Sequence, residues 1–525
     1  MKIPLLKFLL KNYDKIIFIF ILIIASFYRL YKITDYMTFL GDEGRDVLVV
    51  YKILHGDLTL LGPTASVGGF FLGPIYYYFM APFLWLFNYN PVGPAIMVAL
   101  FGVATVGIIY KIGREFFGSF VGLIASGVFA ISPLVVIYSR SSWNPNLMPF
   151  FSLSTLYLIY KAVKNNNVKL FILSGLLFGI TMQLHYLALF LGVVIFVYLL
   201  SYHFVYSKSN FFPRILKQYG AFFIGFVVGW SLFLAFEIRH GFPNIISIFN
   251  FIFNPVDTHG SGRFFETVGN VFFRLFGRLI TNFPPPDKVS LFTKVNIDLW
   301  YSTTLILGIV SVGFLFFKCF KEYKLRSLEF TKISLIVVWF VFGVGLFGFY
   351  KKSIYDYYFG FMFPLPFLII AFFLKNLWQK KIGKLLVIFI LIIIIYLNNL
   401  TPPFKASANR QLLQTETISK FVLEKTNNKP FNFALITGGN SDHAYRYFFT
   451  VWQKEPTVIH NEKIDPNRKT VTNQLLVVCE TVPNCHPLGN SLWEIAGFGR
   501  AQITDSWDVS VVKVYRLIHY KGNEN

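Results

Sequence analysis

Charge is scarce in this sequence. Only 14% of its 525 residues are Asp, Glu, Lys or Arg, 55% are hydrophobic, and the mean hydropathy is +0.56. These values lie outside the usual range of soluble globular proteins, so a soluble enzyme is excluded as an interpretation of the whole chain. Long apolar runs recur over roughly the first 400 residues, which predicts an α-helical protein that crosses the membrane many times.

Acidic residues are fewer than basic ones, 26 against 48, and the formal net charge is +22. The Lys and Arg residues lie in short clusters between apolar runs and form no continuous basic face, so we expect no nucleic acid partner. They are interpreted as signals of membrane topology. A cleavable signal is also lacking, because the apolar run after "MKIPLLKFLLKNYDK" ends in "FYRLYK" without a small-residue cleavage site. We therefore expect a retained first membrane helix.

A membrane-spanning helix needs about 20 mostly apolar residues. Eleven spans are predicted, centred on residues 16–31, 92–110, 119–138, 147–160, 170–184, 186–202, 219–236, 299–317, 331–349, 357–374 and 383–397. Alternate connections carry the clusters of Lys and Arg, which predicts a cytoplasmic N-terminus and an extracytoplasmic location for everything after about residue 398. Residues 73–87, with two prolines and both ends on one side, are expected to form a helix at the membrane interface.

The composition changes after residue 397. Three stretches, "FNFALIT", "QLLVVCE" and "VSVVKVYRLI", are typical of strands, and two others, "ANRQLLQTETISKFVLEKT" and "SDHAYRYFFTVWQ", are typical of helices. The sequence thus predicts a transmembrane domain over 1–397 and a small extracytoplasmic α/β domain over 398–525. Cysteine is rare, with three in the chain. Cys479 and Cys485 lie in the external domain, where they either close a disulfide or stay free.

Acid is concentrated in one external segment, "TDYMTFLGDEGRD" at 34–46. Asp42 and Glu43 stand between Gly41 and Gly44, and glycines let a backbone approach a ligand closely. One carboxylate there can take a proton from an attacking hydroxyl while its neighbour orients it or holds a metal. The alternative is an ordinary solvated acidic loop.

Cations are predicted at several external helix ends. The candidates for binding a phosphate group are Arg140, His185, Arg239, His240, Lys351 and Lys352. Each side chain alone has an ordinary explanation, since such residues often cap a helix or extend to the interface. Together with the acidic segment they favour a phosphate ligand that faces a carboxylate base.

Several of these segments resemble one family. "GDEGRD" after the first helix, "LGPIYYYFMAPF", and the run from "IIYKIGREFFGSF" through "YSRSSWNPN" to "LIYKAV" are similar to polyprenyl-phosphate-sugar-dependent glycosyltransferases of the GT-C fold. These enzymes include protein O-mannosyltransferases and lipid A aminoarabinose transferases. The resemblance implies an extracytoplasmic transfer of sugar, with inversion, from a polyprenyl-phosphate donor to a hydroxyl on a protein, lipid or glycan.

The resemblance also assigns roles. Asp42 matches the base that activates the acceptor, Glu43 its acidic neighbour, and Arg140 the arginine of the second external turn. His185 stands where relatives often have Lys, and a histidine there is expected to titrate near neutral pH. Two positions depart from the pattern: Gly73 replaces a phosphate-binding lysine, and Asn146 replaces a second-turn carboxylate. We therefore claim no metal site and no certain cofactor, and transfer with or without a divalent metal stays open at the level of sequence.

Other hypotheses stay open at the level of sequence. A transporter or lipid-sugar flippase would also be polytopic, although internal repeats and mid-membrane charges are missing. An inactive relative that works through its external domain is compatible with the changes at Gly73 and Asn146. The segment "FNPVDTHGSGRFFETVGN" is either a mobile gate over the site or a surface connection.

Overall fold

The structure is a computed structural model that describes residues 12–65, 67–206, 211–253, 264–481, 483–520 and 522. The basic residues Lys2, Lys7 and Lys11, used above to orient the chain, lie outside the described residues. By their contacts, the residues divide into two compact units. The first contains 1–31, 59–76 and 96–407, and the second contains 32–58, 77–95 and 408–525.

Helices dominate the described residues. In chain order they are α1 (Tyr13–Leu30), α2 (Ile33–Tyr36), α3 (Gly41–Leu54), α4 (Ile75–Leu86), α5 (Val92–Phe117), α6 (Ser119–Ile131), α7 (Pro133–Tyr138), α8 (Met148–Asn165), α9 (Val168–Leu184), α10 (Leu189–Tyr206), α11 (Phe211–Gly229), α12 (Ser231–His240), α13 (Pro243–Phe253), α14 (Phe264–Gly277), α15 (Lys294–Lys324), α16 (Glu329–Gly345), α17 (Pro364–Trp378), α18 (Lys381–Leu400), α19 (Gln411–Lys425), α20 (His443–Val451) and α21 (Trp493–Ala496). Short 3₁₀ turns cover Asn144–Leu147, Tyr186–Ala188, Pro286–Leu291, Leu346–Phe349 and Asp356–Met362. The strands are β1 (Asn432–Ile436), β2 (Leu475–Cys479), β3 (Ala501–Val509) and β4 (Val512–His519).

Each of the eleven predicted spans coincides with a helix or a broken pair of helices. Among the described residues, five helices are long and apolar enough to cross a membrane, or up to seven if each of two bent pairs is one span. The bent pairs are α11 with α12, at 73°, and the 3₁₀ turn Asp356–Met362 with α17, at 59°. The chain is therefore a multi-pass membrane protein. The remaining predicted spans fall on helices that are shorter or carry more charge.

Helices α9 and α11 pack with their backbones almost in contact. Gly175 of α9 lies against the Phe222 carbonyl, and Gly225 of α11 lies against the Ile172 carbonyl, so that a Cβ atom at either glycine would overlap the facing backbone. Small residues at such spacing are the usual means by which membrane helices approach closely, because lipid supplies no hydrophobic force to bring them together. This pair forms a tight contact within the first unit.

The described residues of the connection between the predicted spans 219–236 and 299–317 are largely helical. They contain α13, α14 and a 3₁₀ turn, and α14 carries an apolar face on its C-terminal half, where Val271, Leu275 and Phe276 are buried. Most of the segment considered as a gate, residues 254–263, lies outside the described residues. Helix α4, over the segment expected at the interface, has 12 residues and a central Pro82. At 1.5 Å per residue it is about 18 Å long, shorter than a bilayer core.

The second unit contains the sheet. Its strand order is β1-β2-β4-β3, with β1 and β2 parallel and the other pairs antiparallel. The two strands of the parallel pair, β1 and β2, are buried at every position, as their apolar sequences predict. The structure pairs Cys479 with Cys485 in a disulfide, with their Cα atoms 6.1 Å apart. A small sheet region at the C-terminal end of the chain is thus confirmed, and the division into domains at residues 397 and 398 stays a prediction.

Candidate functional site

The acidic segment forms the first turn of α3. Asp42 and Glu43 stand at the N-terminal end of this helix, where the helix dipole favours negative charge. Glu43 turns inward: its Oε2 accepts a hydrogen bond from the Leu40 N–H at 3.1 Å, and the residue is only 7% exposed. Burial raises the pKa of Glu43 to about 7. Glu43 therefore caps the helix and is buried in the second unit.

Asp42 is held differently. Its side chain is 58% exposed, and its Oδ1 accepts a hydrogen bond from Arg45 Nη1 at 3.0 Å. The same guanidinium donates from Nε and Nη2 to Asp46 Oδ1, at 3.0 and 2.8 Å. Arg45 thus links one exposed and one buried carboxylate, and it fixes the direction in which Asp42 points.

Asp46 anchors this arrangement from inside. It is fully buried and also accepts a hydrogen bond from the Tyr77 hydroxyl at 3.2 Å. Burial raises the pKa of Asp46 to about 6. Of the three carboxylates Asp42, Glu43 and Asp46, only that of Asp42 faces solvent, so Asp42 is the acid of this group that a ligand can reach from solvent.

The residues do not fit a metal centre. Within the described parts of the chain, no three His, Cys, Asp or Glu side chains come together as a possible ligand set. Asp42 and Glu43 point in different directions, and Asn146 donates its amide to the Ser141 carbonyl at 2.9 Å. No step below involves a metal.

Arg140 lies in the first unit and is buried there. Its guanidinium donates to the carbonyls of Tyr28, at 2.8 Å, and Tyr31, at 2.7 Å, and it stacks over the Phe404 ring at 4.8 Å. These contacts cap the C-terminal end of α1, where a cation offsets the helix dipole. A role of Arg140 in phosphate binding stays a prediction, and it would require some of these bonds to be exchanged.

His185 does not behave as the sequence predicts. It is 3% exposed, its Nδ1 accepts the Leu187 N–H at 3.2 Å, and its ring stacks on Tyr186. Burial lowers the pKa of His185 to about 3. The expectation of titration near neutral pH was wrong, because the turn is buried. The imidazole is neutral and can offer a ligand only its Nε2–H.

The remaining predicted cations are accessible. Arg239 and His240 are exposed at the end of α12, where His240 Nδ1 donates to the Phe236 carbonyl at 2.9 Å. Lys351 is exposed and Lys352 is half-buried in the connection before the turn Asp356–Met362. Over the ranges that the structure describes, neither lysine makes an ion pair. Their part in binding phosphate stays a prediction.

A cluster that the sequence analysis missed lies next to these lysines. Arg274 binds Asp356 Oδ1 through Nε and Nη2, at 2.9 and 2.6 Å, and Arg278 binds Asp356 Oδ2 at 3.0 Å. Arg274 also donates to the Ile354 carbonyl at 2.8 Å. Two guanidiniums share one carboxylate, which leaves one net positive charge. The signal was the i, i+4 spacing of two arginines, Arg274 in the last turn of α14 and Arg278 directly after this helix, inside a segment interpreted as a loop.

The structure explains the glycine at position 73. A side chain there would overlap Gln183, whose Oε1 accepts the Ile75 N–H at 3.3 Å and whose Nε2 donates to the Gly229 carbonyl at 2.7 Å. Gln183 is buried and fills the space next to Gly73. The position therefore has no room for the lysine of the resembled pattern.

Comparisons with known proteins concern the family and the fold of the chain. Residues 72–230 match the family described as dolichyl-phosphate-mannose-protein mannosyltransferase. No similar sequence was found among curated proteins. ArnT from Cupriavidus metallidurans bound to undecaprenyl phosphate is 11% identical with a TM-score of 0.60, over 96% of this chain and 98% of that chain.

A second similar structure is the archaeal oligosaccharyltransferase AglB from Archaeoglobus fulgidus, in complex with an inhibitory peptide and a dolichol-phosphate. It is 13% identical with a TM-score of 0.54, over 89% of this chain and 70% of that chain. At these identities the structural likeness concerns the fold. The resemblance predicted from the sequence is confirmed: the chain is a membrane protein with the GT-C fold of the polyprenyl-phosphate-dependent glycosyltransferases, similar over residues 72–230 to the dolichyl-phosphate-mannose-protein mannosyltransferases.

Proposed function

We propose that this protein transfers a sugar from a polyprenyl-phosphate carrier to a hydroxyl acceptor on the extracytoplasmic side of the membrane, with Asp42 as the base. The observation that carries the proposal is the exposed carboxylate of Asp42, fixed by Arg45, in the first turn of α3. The acceptor is a hydroxyl on a protein, lipid or glycan. The N-terminus is assigned to the cytoplasm and the C-terminal domain to the outside by the distribution of Lys and Arg.

In the proposed reaction, the Asp42 carboxylate takes the proton of the acceptor hydroxyl as the oxygen attacks the anomeric carbon. The new bond joins this oxygen to the sugar, and the bond between the anomeric carbon and the phosphate oxygen breaks with its electron pair on the phosphate. A single in-line displacement inverts the anomeric configuration. A carboxylate is suited to this task, because a positioned base contributes roughly 10²- to 10⁴-fold to such reactions.

The leaving group is a phosphate monoester that carries negative charge, and cations stabilise it as the bond breaks. Arg274 and Arg278, with their net positive charge beside Asp356, support a phosphate-binding role for this part of the first unit. Lys351 and Lys352 lie a few residues before Asp356 and would add to the same positive region. Arg140, His185, Arg239 and His240 remain candidates for the donor phosphate, His185 through a neutral N–H group.

The test replaces Asp42 with Asn. The amide keeps the size of the side chain and can still accept the Arg45 hydrogen bond, but it cannot take up a proton at neutral pH. Cells that lack the protein would be complemented with the wild type, with Asp42→Asn, or with Glu43→Gln as the matched control. Mass spectrometry of envelope glycans, glycolipids and glycoproteins would measure the product.

We expect Asp42→Asn to lower transfer at least about 100-fold while the protein accumulates in the membrane at its normal level. Glu43→Gln keeps the cap on Leu40 and is expected to retain most of the activity. Substantial transfer by Asp42→Asn would contradict the assignment of the base. Equal glycans with and without the wild-type protein would contradict the proposed function itself.

A further inference from the structure

The start of α3 is held by side chains from the C-terminal part of the second unit. The Phe39 N–H donates to Gln411 Oε1 at 3.1 Å, and the Gly41 N–H donates to Asn440 Oδ1 at 2.8 Å. The amide between them, Leu40 N–H, is taken by Glu43. The three amides that precede Asp42 are therefore all bound to side chains, two of them to carboxamides of the C-terminal domain.

At Gly41 and Gly44 this contact leaves no room for a side chain. A Cβ atom at Gly41 would overlap the Ser441 hydroxyl, and one at Gly44 would overlap the backbone of Ala444 in α20. The first turn of α3 thus lies directly against the segment that joins β1 to α20. This segment, "TGGNSDH", follows the carboxyl end of a parallel strand, where loops of α/β domains commonly carry functional groups.

Asn440 is itself held by Glu480, which follows β2. Asn440 Nδ2 lies 3.4 Å from both oxygens of the Glu480 carboxylate. That carboxylate also accepts hydrogen bonds from Thr437 Oγ1 and from the Tyr445 hydroxyl, each at 2.8 Å. Because the amide group of Asn440 faces an acid, its oxygen must face the backbone N–H groups of Gly41 and Ser441. Glu480 therefore fixes the orientation of the Asn440 carboxamide.

We propose that Asn440 and Glu480 are positioning residues for the base Asp42, and that the C-terminal domain thereby takes part in the transfer reaction. This inference rests on the proposed function. Asp42 is exposed, and its carboxylate accepts a hydrogen bond from Arg45, three residues later on the same helix. Among the residues that the structure describes, no side chain outside α3 donates a hydrogen bond to this carboxylate, so its location depends on the backbone at Gly41. Loss of the Asn440 bond would let this backbone move, and a displacement of about 1 Å costs roughly 100-fold in rate when a reacting group is concerned.

The experiment exchanges the carboxamide of Asn440 and the carboxylate of Glu480. Asn440→Asp leaves an oxygen for the Gly41 N–H but places a second carboxylate against Glu480, and like charges at this distance repel. The double variant N440D/E480Q restores one acid and one amide in the reversed order, so that the amide at 480 can donate to the carboxylate at 440. Asn490→Ala is the control within the same domain, because Asn490 makes only local loop contacts with His486 and Leu492.

Three readouts separate positioning from general damage. The first is kcat and donor KM of the purified full-length protein. The second is hydrogen exchange of the peptide covering residues 37–48, compared with β1 and β2. The third is the thermal midpoint of the detergent-solubilised protein. We expect Asn440→Asp and Asn440→Ala to lower kcat by about 10- to 100-fold, to leave donor KM within about twofold, and to raise exchange only in 37–48.

Asn440→Asp is expected to lower log kcat, and the double variant N440D/E480Q is expected to regain at least half of that loss. Asn440→Ala with wild-type kcat and unchanged exchange in 37–48 would overturn the proposal. A folded double variant no better than Asn440→Asp would overturn it as well. Wild-type protein without transferase activity would instead refute the proposed function, and the exchange measurement would still decide whether Asn440 holds the start of α3.

Discussion

Glu43 gives the second unit a pH-dependent stability that can be measured without knowledge of the substrate. The change is Glu43→Gln, which keeps an oxygen to accept the Leu40 N–H but does not titrate. In the folded protein burial raises the pKa of Glu43 from its ordinary value of 4.5 to about 7. The folded state therefore binds this proton more tightly than the unfolded state does.

The direction of the pH dependence follows from this difference in proton binding between the folded and unfolded states. Between pH 4.5 and about 7 the folded protein holds more protons than the unfolded chain, so its stability falls as the pH rises. Above pH 7 the carboxylate is ionised in both states, and the folded state carries the full cost of the buried charge. One pKa unit corresponds to about 1.36 kcal/mol, so the cost is roughly 3 kcal/mol. The variant avoids it.

The assay is thermal unfolding of the detergent-solubilised protein at pH 5 and pH 8. Wild type and Glu43→Gln are expected to be close at pH 5, and the variant to unfold several degrees higher at pH 8. The raised pKa of Asp46 acts on stability in the same direction in wild type and variant. The difference between the two proteins therefore reports the contribution of Glu43. Glu416→Gln, on the surface of α19, is the control and should change the pH dependence little. A variant as pH-sensitive as the wild type, or less stable at pH 8, would refute the argument.

Two further predictions concern the first unit. Arg278→Gln removes the net positive charge that remains beside Asp356, and we expect it to raise the donor KM about tenfold, as for the loss of one charge-assisted bond. Arg278→Lys should recover part of the affinity, and an unchanged KM in steady-state assays of Arg278→Gln would argue against phosphate binding there. Gly225→Leu forces a side chain against the Ile172 carbonyl and should destabilise the protein by about 1–3 kcal/mol or more. Gly220→Leu, on the same helix with nothing within 4 Å, should not, and equal thermal midpoints of the two variants would disprove the tight contact.

The helices could be predicted because their signal is local and repeated. A run of apolar residues flanked by Lys or Arg specifies a membrane helix without reference to the rest of the chain. Strands β1, β2 and β4 could also be predicted from their local sequences, because each contains apolar residues that are buried. Strand β3 was missed because it is an edge strand with Thr504, Asp505 and Asp508 among its residues, so its sequence lacks an apolar run. The bends at α12 and α17 were also not predicted.

The candidate site was predictable only in part. Asp42 could be found because it stands in a short acidic segment that resembles a known motif. Its support could not, because Asn440 is 399 residues away in sequence and a lone Asn in a turn is unremarkable. The role of His185 in binding phosphate stays a prediction, and its neutral state depends on the burial of its turn, which composition does not show.

The bond between Gly41 and Asn440 also has a consequence for biosynthesis. The ribosome makes the two partners 399 residues apart, and at about 5–20 residues per second roughly 20–80 s pass between them. During this interval the helix that carries Asp42 exists without the carboxamides that hold its first turn. Asp42, the proposed base, therefore reaches its final place only when the end of the chain has been made, so that an unfinished chain in the membrane would hold this carboxylate without its support.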